Sequence, residues 1–213
     1  TPDEKELGVA IVDIGGGTTD FAVFERGSLW HTGVLSIGGD HFTNDIAVGL
    51  RMPIPEAEKL KRRSGCAMSS LVAEDEVMEV ASIAGRRPRA MPRRVLSEIL
   101  QPRAEEVCHL LWDELRRAGY EKSLNSGIVF TGGGAALLGM AEIAEQIFDL
   151  PVRRAAPDGV GGLADHVNNP AFATGVGLAL YTHRHAQSEP VPTGAGAIGR
   201  LTGKLRMLFK EFF

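Results

Sequence analysis

The pattern of apolar and polar positions predicts three strands at the start of the chain. Residues 7–14 (LGVAIVDI) form a continuous apolar run, which is typical of a strand buried on both faces of a sheet. Residues 21–24 and 28–36 predict two further strands, with a turn at Arg26-Gly27-Ser28 between them. The three strands form a meander whose first corner is rich in glycine.

Helical patterning begins at residue 40. The predicted elements are helices at 40–50 and 56–63, a strand with a turn at 77–85, and helical structure at 92–119. In the first helix Ile46 and Leu50 lie four positions apart, as on one helix face. We expect Pro102 to begin a second helix within 92–119, because proline suits a first turn and disrupts a helix interior.

A second glycine cluster follows a second buried strand. The remaining predicted elements are a strand at 127–131 (GIVFT), a helix opened by Gly132-Gly133-Gly134 that ends at residue 148, a short strand at 152–155 and a helix at 171–181. Both glycine clusters therefore come directly after a predicted buried strand. In this position, a tight glycine bend indicates a binding loop.

Composition is that of a soluble globular protein. Of the 213 residues, 44% are hydrophobic and 23% charged, and the net charge of −4 gives no indication of a nucleic-acid partner. Cys66 and Cys108 are too few for a disulfide framework and lack metal-ligand spacing, which favours a reducing compartment. No secretory signal or membrane-length apolar run is visible. The chain begins at Thr1 rather than Met, and we expect it to be a fragment.

The first cluster, DIGGGTTD at residues 13–20, has the chemistry of a phosphate-binding loop. Glycines let several backbone N–H groups point inward at a tight bend, threonine hydroxyls add donors, and an aspartate can hold Mg²⁺ through water. The predicted ligands of phosphate are Asp13, Gly15, Gly16, Gly17, Thr18 and Thr19, with Asp13 also facing the metal. The alternative is a glycine hairpin that only turns the chain.

The second cluster, Gly132-Gly133-Gly134, predicts the nucleoside side of the same site. A helix N-terminus favours anions, and bare glycines leave room for a flat ring or a ribose. Neither cluster is a Walker A loop, since no Gly-Lys-Ser/Thr follows, and neither fits the GxGxxG fingerprint of dinucleotide sites.

The two clusters together resemble the ATPase superfamily of actin, MreB, DnaK-type chaperones and sugar kinases. In that superfamily the first motif is the second phosphate loop and the later one the adenosine loop. Gly38-Gly39 resembles the pair that begins a helix beside the phosphates, and Glu58 and Lys61 resemble residues that flank adenosine. On the residues alone, a solvated ion pair is the favoured interpretation of Glu58 and Lys61.

The closer resemblance is to the C-terminal half of the FtsA family of bacterial division proteins, carried by GGDHFTNDIA, PEAEKLKRRSGCA, GRRPR, TGGGAALLGM and FATGVGLALY. It implies an α/β, actin-like ATPase fold, here the second lobe (subdomains 2A and 2B) with a ribonuclease-H-like mixed sheet and a C-terminal amphipathic helix. Subdomain 2A is expected at residues 1–48 and 124–183, and subdomain 2B at 49–123.

The resemblance also implies a function. FtsA proteins bind ATP with Mg²⁺, polymerise into actin-like filaments, and tether FtsZ to the cytoplasmic face of the inner membrane at the division septum, where they recruit other divisome proteins. The first phosphate loop of the family has no counterpart in this chain, so the chain is expected to supply part of a nucleotide site. At most a weak ATPase is implied, without assigned catalytic residues.

The tail predicts a membrane-binding segment. Residues 184–197 are typical of a flexible linker, and residues 198–213 of an amphipathic helix with four basic residues against one acidic residue. The residues expected to contact anionic lipid are Ile198, Leu201, Lys204, Leu205, Leu208, Phe209 and Phe212. The alternative is a terminal helix docked on the protein's own core. The FtsA resemblance implies membrane targeting.

An arginine-rich region predicts a partner surface in subdomain 2B. Its arginines are Arg86, Arg87, Arg89, Arg93, Arg94 and Arg103, and a solvated basic face is the alternative interpretation. The FtsA resemblance implies that Arg103 and Glu106 bind the C-terminal peptide of FtsZ, and that Arg89 lies near a self-association surface. Competing hypotheses are a PilM-like pilus assembly adaptor and a sugar kinase fragment, and the basic amphipathic tail counts against both.

Overall fold

The computed structural model describes residues 1–80, 88–159, 161 and 167–186. The strands are β1 (Val9–Ile14), β2 (Thr19–Glu25), β3 (Ser28–Leu35), β4 (Val77–Val80), β5 (Arg89–Pro92), β6 (Ile128–Thr131) and β7 (Val152–Arg154). The helices are α1 (Pro2–Leu7), α2 (Gly39–Leu50), α3 (Ile54–Ser64), α4 (Arg93–Arg117), α5 (Met140–Phe148) and α6 (Ala173–Ala186). Thr1–Thr174 form one compact unit, and residues 175–186 of α6 belong to a second.

A five-stranded mixed sheet has the order β3-β2-β1-β6-β7. The meander β1-β2-β3 is antiparallel, whereas β6 and β7 run parallel to β1. Asp13 near the end of β1 pairs with Thr131 at the end of β6. Because parallel strands end at the same edge, this register brings the two glycine clusters together. The predicted ribonuclease-H-like mixed sheet is confirmed.

The hydrophobic core lies on one face of this sheet. Ala10, Val12 and Ile14 of β1 are buried in it with residues from α2, α4 and α5. Ile11 points to the other face and is 39% exposed. The prediction that β1 is buried on both faces is therefore wrong at its centre, because alternate residues of a strand face opposite sides and only one side is covered there.

Helix α4 is continuous through Pro102, so the prediction that Pro102 begins a second helix is wrong. An interior proline costs about 3 kcal/mol, because it removes a hydrogen bond and crowds the preceding turn. The ring of Pro102 is exposed, and a buried stripe runs unbroken on the opposite side of the helix. The stripe consists of Leu96, Leu100, Ala104, Val107, Leu111 and Leu115. Its burial offsets the cost of the proline.

Two local elements differ from the sequence prediction. Helix α1 was not predicted from the sequence. The Thr1 hydroxyl accepts a hydrogen bond from the Glu4 N–H at 3.3 Å, and the Glu4 carboxylate accepts one from the Thr1 amino group at 2.6 Å. These two hydrogen bonds cap the first turn of α1. The triglycine at 132–134 leads into a 3₁₀ turn at Gly134–Ala136, and the helix itself begins only at Met140. The expectation that the triglycine opens an α-helix is wrong.

A small second sheet pairs β4 with β5, beside the start of α4. In the sequence, Arg86 and Arg87 come between these two strands, and both lie outside the described residues. The part of the predicted linker from residue 187 onward and the amphipathic segment 198–213 also lie outside the described residues. None of the helices in 1–80, 88–159 and 167–186 combines the length and hydropathy that a membrane span requires.

Candidate functional site

The first glycine cluster forms the hairpin loop between β1 and β2. The Gly15 N–H donates to the Thr18 carbonyl at 2.9 Å and closes the bend. Within the described residues, the N–H groups of Gly16, Gly17 and Thr18 have no backbone or side-chain acceptor, and all three residues are exposed. A tight bend with several unpaired N–H groups is a nest for an anion. These N–H groups can donate to an anion, and the role of the loop in phosphate binding stays a prediction.

The two threonines of this loop have different positions. Thr19 is fully buried and its hydroxyl donates to the Ile37 carbonyl at 2.8 Å, so it anchors the loop rather than facing a ligand. The Thr18 hydroxyl is exposed and donates to the Asp20 carboxylate at 3.0 Å. Only Thr18 of the pair has a hydroxyl that can turn toward a phosphate.

The start of α2 is fastened to the phosphate loop. The N–H groups of Gly39 and Asp40 donate to the carbonyls of Gly15 and Gly16, each at 2.8 Å. A Cβ at Gly38 would lie 2.6 Å from the Gly16 oxygen, closer than real contacts allow. Gly38 and Gly39 therefore bring a helix N-terminus against the loop, as the sequence motif predicts.

The predicted adenosine-side loop, residues 132–134, packs directly on β1. Gly132 has a φ of +84°, and a Cβ there would lie 2.2 Å from Asp13 Oδ1. A Cβ at Gly134 would lie 2.3 Å from Ile14 Cγ2, whereas Gly133 is exposed and a Cβ there would make only an ordinary contact, 3.9 Å from the Cβ of Ala171. Gly132 and Gly134 are needed for this approach, and Gly133 is left facing outward.

Lys61 links α3 to the start of α2. Its Nζ donates to the Gly39 carbonyl and the Thr43 hydroxyl and pairs with Glu58 Oε2, each at 2.7 Å. The Lys61 side chain is only 13% exposed. The i,i+3 ion pair favoured from the residues alone is therefore present, with the Glu58 side chain 39% exposed. It is not fully solvated, because Lys61 is a largely buried part of the pocket wall.

The pKa of the Glu58 carboxyl reflects the same network. Partial burial would raise this pKa by removing water from the charged form. Hydrogen bonds from Lys61 and Thr43, with the charges of Lys61 and Arg62, outweigh burial and lower the pKa below its ordinary value. Glu58 is thus held ionised beside Lys61 at neutral pH.

A cavity of about 570 Å³ brings most predicted site residues together. This volume lies within the range of about 300–1,000 Å³ that small-molecule sites occupy. The predicted residues that line it are Gly15, Gly16, Gly39, Glu58, Lys61, Gly133 and Gly134. Gly38, Gly132 and Thr19 support its walls, and Gly17 and Thr18 lie at the loop tip outside its lining.

Several lining residues were missed by the sequence prediction. They include Asp40, Arg62, Arg63, Leu137, Asn169 and Phe172. Asp40 and Arg62 directly follow the predicted residues Gly39 and Lys61, so adjacency was an available signal. Phe172 is the first residue of the segment FATGVGLALY, which indicated the family but assigned no residue to the site. Asn169 lies three residues before that segment and had no motif that could indicate it.

Asp13 lies beside this cavity rather than in its lining. Its carboxylate accepts a hydrogen bond from the Thr174 hydroxyl and faces a separate space of about 440 Å³ shared with Asp20 and Thr131. Within the described part of the chain, no three His, Cys, Asp or Glu side chains cluster to hold a metal ion. A role of Asp13 toward Mg²⁺ through water stays a prediction.

Arg103 joins α4 to α2. Its Nε and Nη2 donate to the two carboxylate oxygens of Asp45 at 2.6 and 2.9 Å, and it also pairs with Glu106 one turn along α4. The hydrogen bonds from Arg103 to Asp45 raise the pKa of the guanidinium. The predicted partner residues are therefore neighbours, and Arg103 already has a structural contact.

The remaining described arginines of the predicted basic face are also engaged. Arg93 pairs with Glu76 at 2.5 Å and Arg94 with Glu74 at 3.5 Å, while Arg89 donates to the Leu50 carbonyl at 3.4 Å. Acidic residues thus neutralise much of this surface, which argues against recognition by bulk positive charge.

Comparisons with known proteins agree with this arrangement. The family model described as "Cell division protein FtsA" matches residues 10–177. Cell division protein FtsA of Pseudomonas aeruginosa is 50% identical over 181 residues, covering 85% of this chain and 43% of that protein. Cell division protein FtsA of Escherichia coli K12 is 40% identical, covering 100% of this chain and 53% of that protein. The chain spans about half the length of these relatives.

A solved structure shares the fold. The crystal structure of MreB5 of Spiroplasma citri bound to ADP matches with a TM-score of 0.63 at 20% identity, covering 87% of this chain and 56% of that chain. This likeness confirms the predicted actin-like ATPase fold. The family match favours FtsA over the pilus-adaptor and sugar-kinase hypotheses. With residues 10–177 matched by the family model, this chain belongs to the FtsA family of cell division proteins.

Proposed function

We propose that this chain is the part of an FtsA-like division protein that binds one side of an ATP molecule with its Mg²⁺. The observation that carries the proposal is the cavity of about 570 Å³ in which Gly16, Gly39, Lys61 and Gly134 meet. In this proposal subdomain 2A comprises residues 1–48 and 124–183, and subdomain 2B comprises residues 49–123.

Each wall of the cavity has a distinct task. The exposed N–H of Gly16 in the lining, together with those of Gly17 and Thr18 at the adjoining loop tip, binds phosphate oxygens, since a nest of backbone dipoles favours an anion. Gly133 leaves room for ribose and base, and the Glu58–Lys61 pair fixes the opposite wall. Mg²⁺, when bound, neutralises phosphate charge, and Asp13 would hold its water ligands. These residues bind and orient the nucleotide.

The test compares two lysines on α3. Lys61 is nearly buried and bonded to Gly39, whereas Lys59 is 74% exposed and forms the same type of i,i+3 ion pair, with Glu56. We expect Lys61→Ala to weaken binding of a fluorescent ATP analogue by about tenfold or more, because it breaks a charge-assisted network at the cavity wall. Lys59→Ala should leave binding unchanged. Equal affinities in the two variants would contradict the proposal.

The same titration should be run in a longer protein that restores an FtsA-family N-terminal half. If the cleft has two walls, the longer protein binds nucleotide more tightly than this chain, and Lys61→Ala weakens binding in both.

We also propose the cellular role implied by the family: polymerisation at the cytoplasmic face of the inner membrane, tethering of FtsZ, and recruitment of other divisome proteins at the septum. Arg103 and Glu106 lie one turn apart on α4, which supports a shared site for the FtsZ C-terminal peptide. The basic amphipathic segment 198–213 supports attachment to anionic lipid.

A further inference from the structure

Three carboxylates surround the phosphate loop, and they differ in what they contact. Asp13 accepts a hydrogen bond from the Thr174 hydroxyl, and Asp20 accepts one from the Thr18 hydroxyl at 3.0 Å. Within the described residues, the carboxylate of Asp40 has no hydrogen-bond or ion-pair partner. Asp40 is also exposed. It is therefore the carboxylate of the three that is available to a ligand.

The position of Asp40 is fixed by the backbone. Its N–H donates to the Gly16 carbonyl at 2.8 Å, which places the first turn of α2 against the loop. The two carboxylate oxygens lie 3.5 and 3.6 Å from the point that a Cβ on Gly16 would occupy. Asp40 also lines the same cavity as Gly15, Gly16 and Lys61. Its charge thus faces the space in front of the phosphate loop.

No described cation forms an ion pair with Asp40, although Arg62, Arg63 and Arg93 line the same cavity. Arg93 pairs with Glu76, and Arg63 donates to the Glu79 carbonyl. Lys61, the basic wall residue that is bonded to the first turn of α2, gives its Nζ to Gly39, Thr43 and Glu58. A free carboxylate beside a phosphate nest repels bare nucleotide phosphates. A hard divalent cation on the phosphates reverses this effect, because carboxylates and their bound waters are its preferred partners.

We propose that Asp40 is a specificity residue that makes this site select Mg²⁺-complexed nucleotide over free nucleotide. The inference rests on the proposed nucleotide site and goes beyond it by naming the group that distinguishes nucleotide with bound Mg²⁺ from nucleotide without it. Asp13, assigned above to water ligands of Mg²⁺, lies outside the cavity lining and is bonded to Thr174, whereas Asp40 lies in the lining and adds a second carboxylate for those ligands.

A purely structural role predicts a different result. An acidic residue in the first turn stabilises a helix through the helix dipole, and its loss would loosen α2 whatever the metal content. Loosening lowers the affinity for nucleotide with and without Mg²⁺ by the same factor. The ratio of the two affinities therefore separates metal selection from helix stabilisation.

The experiment measures affinity for a fluorescent ATP analogue in Mg²⁺ and in EDTA, with the unfolding midpoint as a check on folding. For Asp40→Asn we expect tighter binding in EDTA and a Mg²⁺ preference reduced by about tenfold, the size of one close charge pair in partly screened surroundings. Asp20→Asn is the matched control, because it removes a carboxylate charge that belongs to the same loop but contacts Thr18. The Mg²⁺ preference of this variant should equal that of the wild type.

Three outcomes count against the inference. An unchanged Mg²⁺ preference in Asp40→Asn, or an equal loss of both affinities, overturns it while leaving the proposed nucleotide site in place. A preference lost in Asp20→Asn but kept in Asp40→Asn transfers the role to Asp20 and overturns it too. If the wild-type chain binds nucleotide under neither condition, the proposed function fails first.

Discussion

Individual glycines of the two predicted nucleotide loops differ in how closely the surrounding chain approaches them. Gly132 adopts a φ of +84° and meets Asp13 and Ile14, so any side chain there is both strained and obstructed. Gly17, at the tip of the phosphate loop, has no positive φ, and a Cβ added there would meet no heavy atom within 4 Å. Two glycines from similar clusters thus have different roles: Gly132 allows close packing, whereas Gly17 lies in an exposed loop tip with open space around it.

Substitution of these two glycines tests this distinction. We expect Gly132→Ala to lower the free energy of unfolding by about 2–4 kcal/mol, since the added carbon would lie 2.2 Å from Asp13 Oδ1 in a strained backbone. Gly17→Ala should change it by less than about 1 kcal/mol. Urea denaturation followed by circular dichroism measures both. A similar loss in the two variants would contradict the packing argument.

Helix α2 is the element that connects the cavity to the predicted partner surface. Its first turn carries Gly39, whose carbonyl accepts from Lys61, and its second carries Asp45, which binds Arg103 of α4. A charge reversal at Arg103 would therefore place a third carboxylate beside Asp45 and Glu106 and strain the α2–α4 contact. Loss of peptide binding in such a variant would have two explanations.

Asp45→Ala separates them. It breaks the same ion pair as Arg103→Glu but leaves the guanidinium in place. We expect Arg103→Glu to abolish binding of the FtsZ C-terminal peptide and Asp45→Ala to retain it, with an unfolding free energy lower by about 1–3 kcal/mol. Calorimetric titration of the peptide with a parallel denaturation series measures both. If Asp45→Ala loses binding as fully as Arg103→Glu, the contact is structural and Arg103 does not bind the peptide.

Elements were predictable where one local signal dominated. The apolar runs at 7–14 and 127–131 and the two triglycines indicated β1, β6 and the loops, because buried strands and tight bends have characteristic compositions. The prediction at Pro102 was wrong because the burial that stabilises α4 comes from packing against α2 and α5, which the local sequence does not indicate. Ile11 misled because a continuous apolar run does not indicate which face is covered. Lys61 looked solvated because its partner Gly39 is distant in sequence.

At the scale of the whole molecule, binding to nucleotide, peptide and membrane would place three ligands on one chain. The sequence of residues 198–213 is relevant to the third of these, and it lies outside the described residues. One such helix would bind weakly: each basic residue contributes about 1 kcal/mol near anionic lipid. Each inserted apolar side chain adds about 1 kcal/mol, and ordering the helix opposes both. Several tails on one filament would bind together by avidity. Membrane attachment would then report polymerisation.

Vesicle flotation tests this with a matched pair of substitutions. Leu205 belongs to the predicted apolar face, whereas Met207, two positions on, would lie on the opposite side of the predicted helix at about 100° per residue. We expect deletion of 198–213 to abolish flotation on anionic vesicles, Leu205→Gln to reduce it severalfold, and Met207→Gln to leave it unchanged, because only Leu205 would enter the lipid. In the longer protein the bound amount should rise more steeply than in proportion to protein concentration. Equal effects of the two glutamines would favour a tail docked on protein, and a strictly proportional rise would separate attachment from polymerisation.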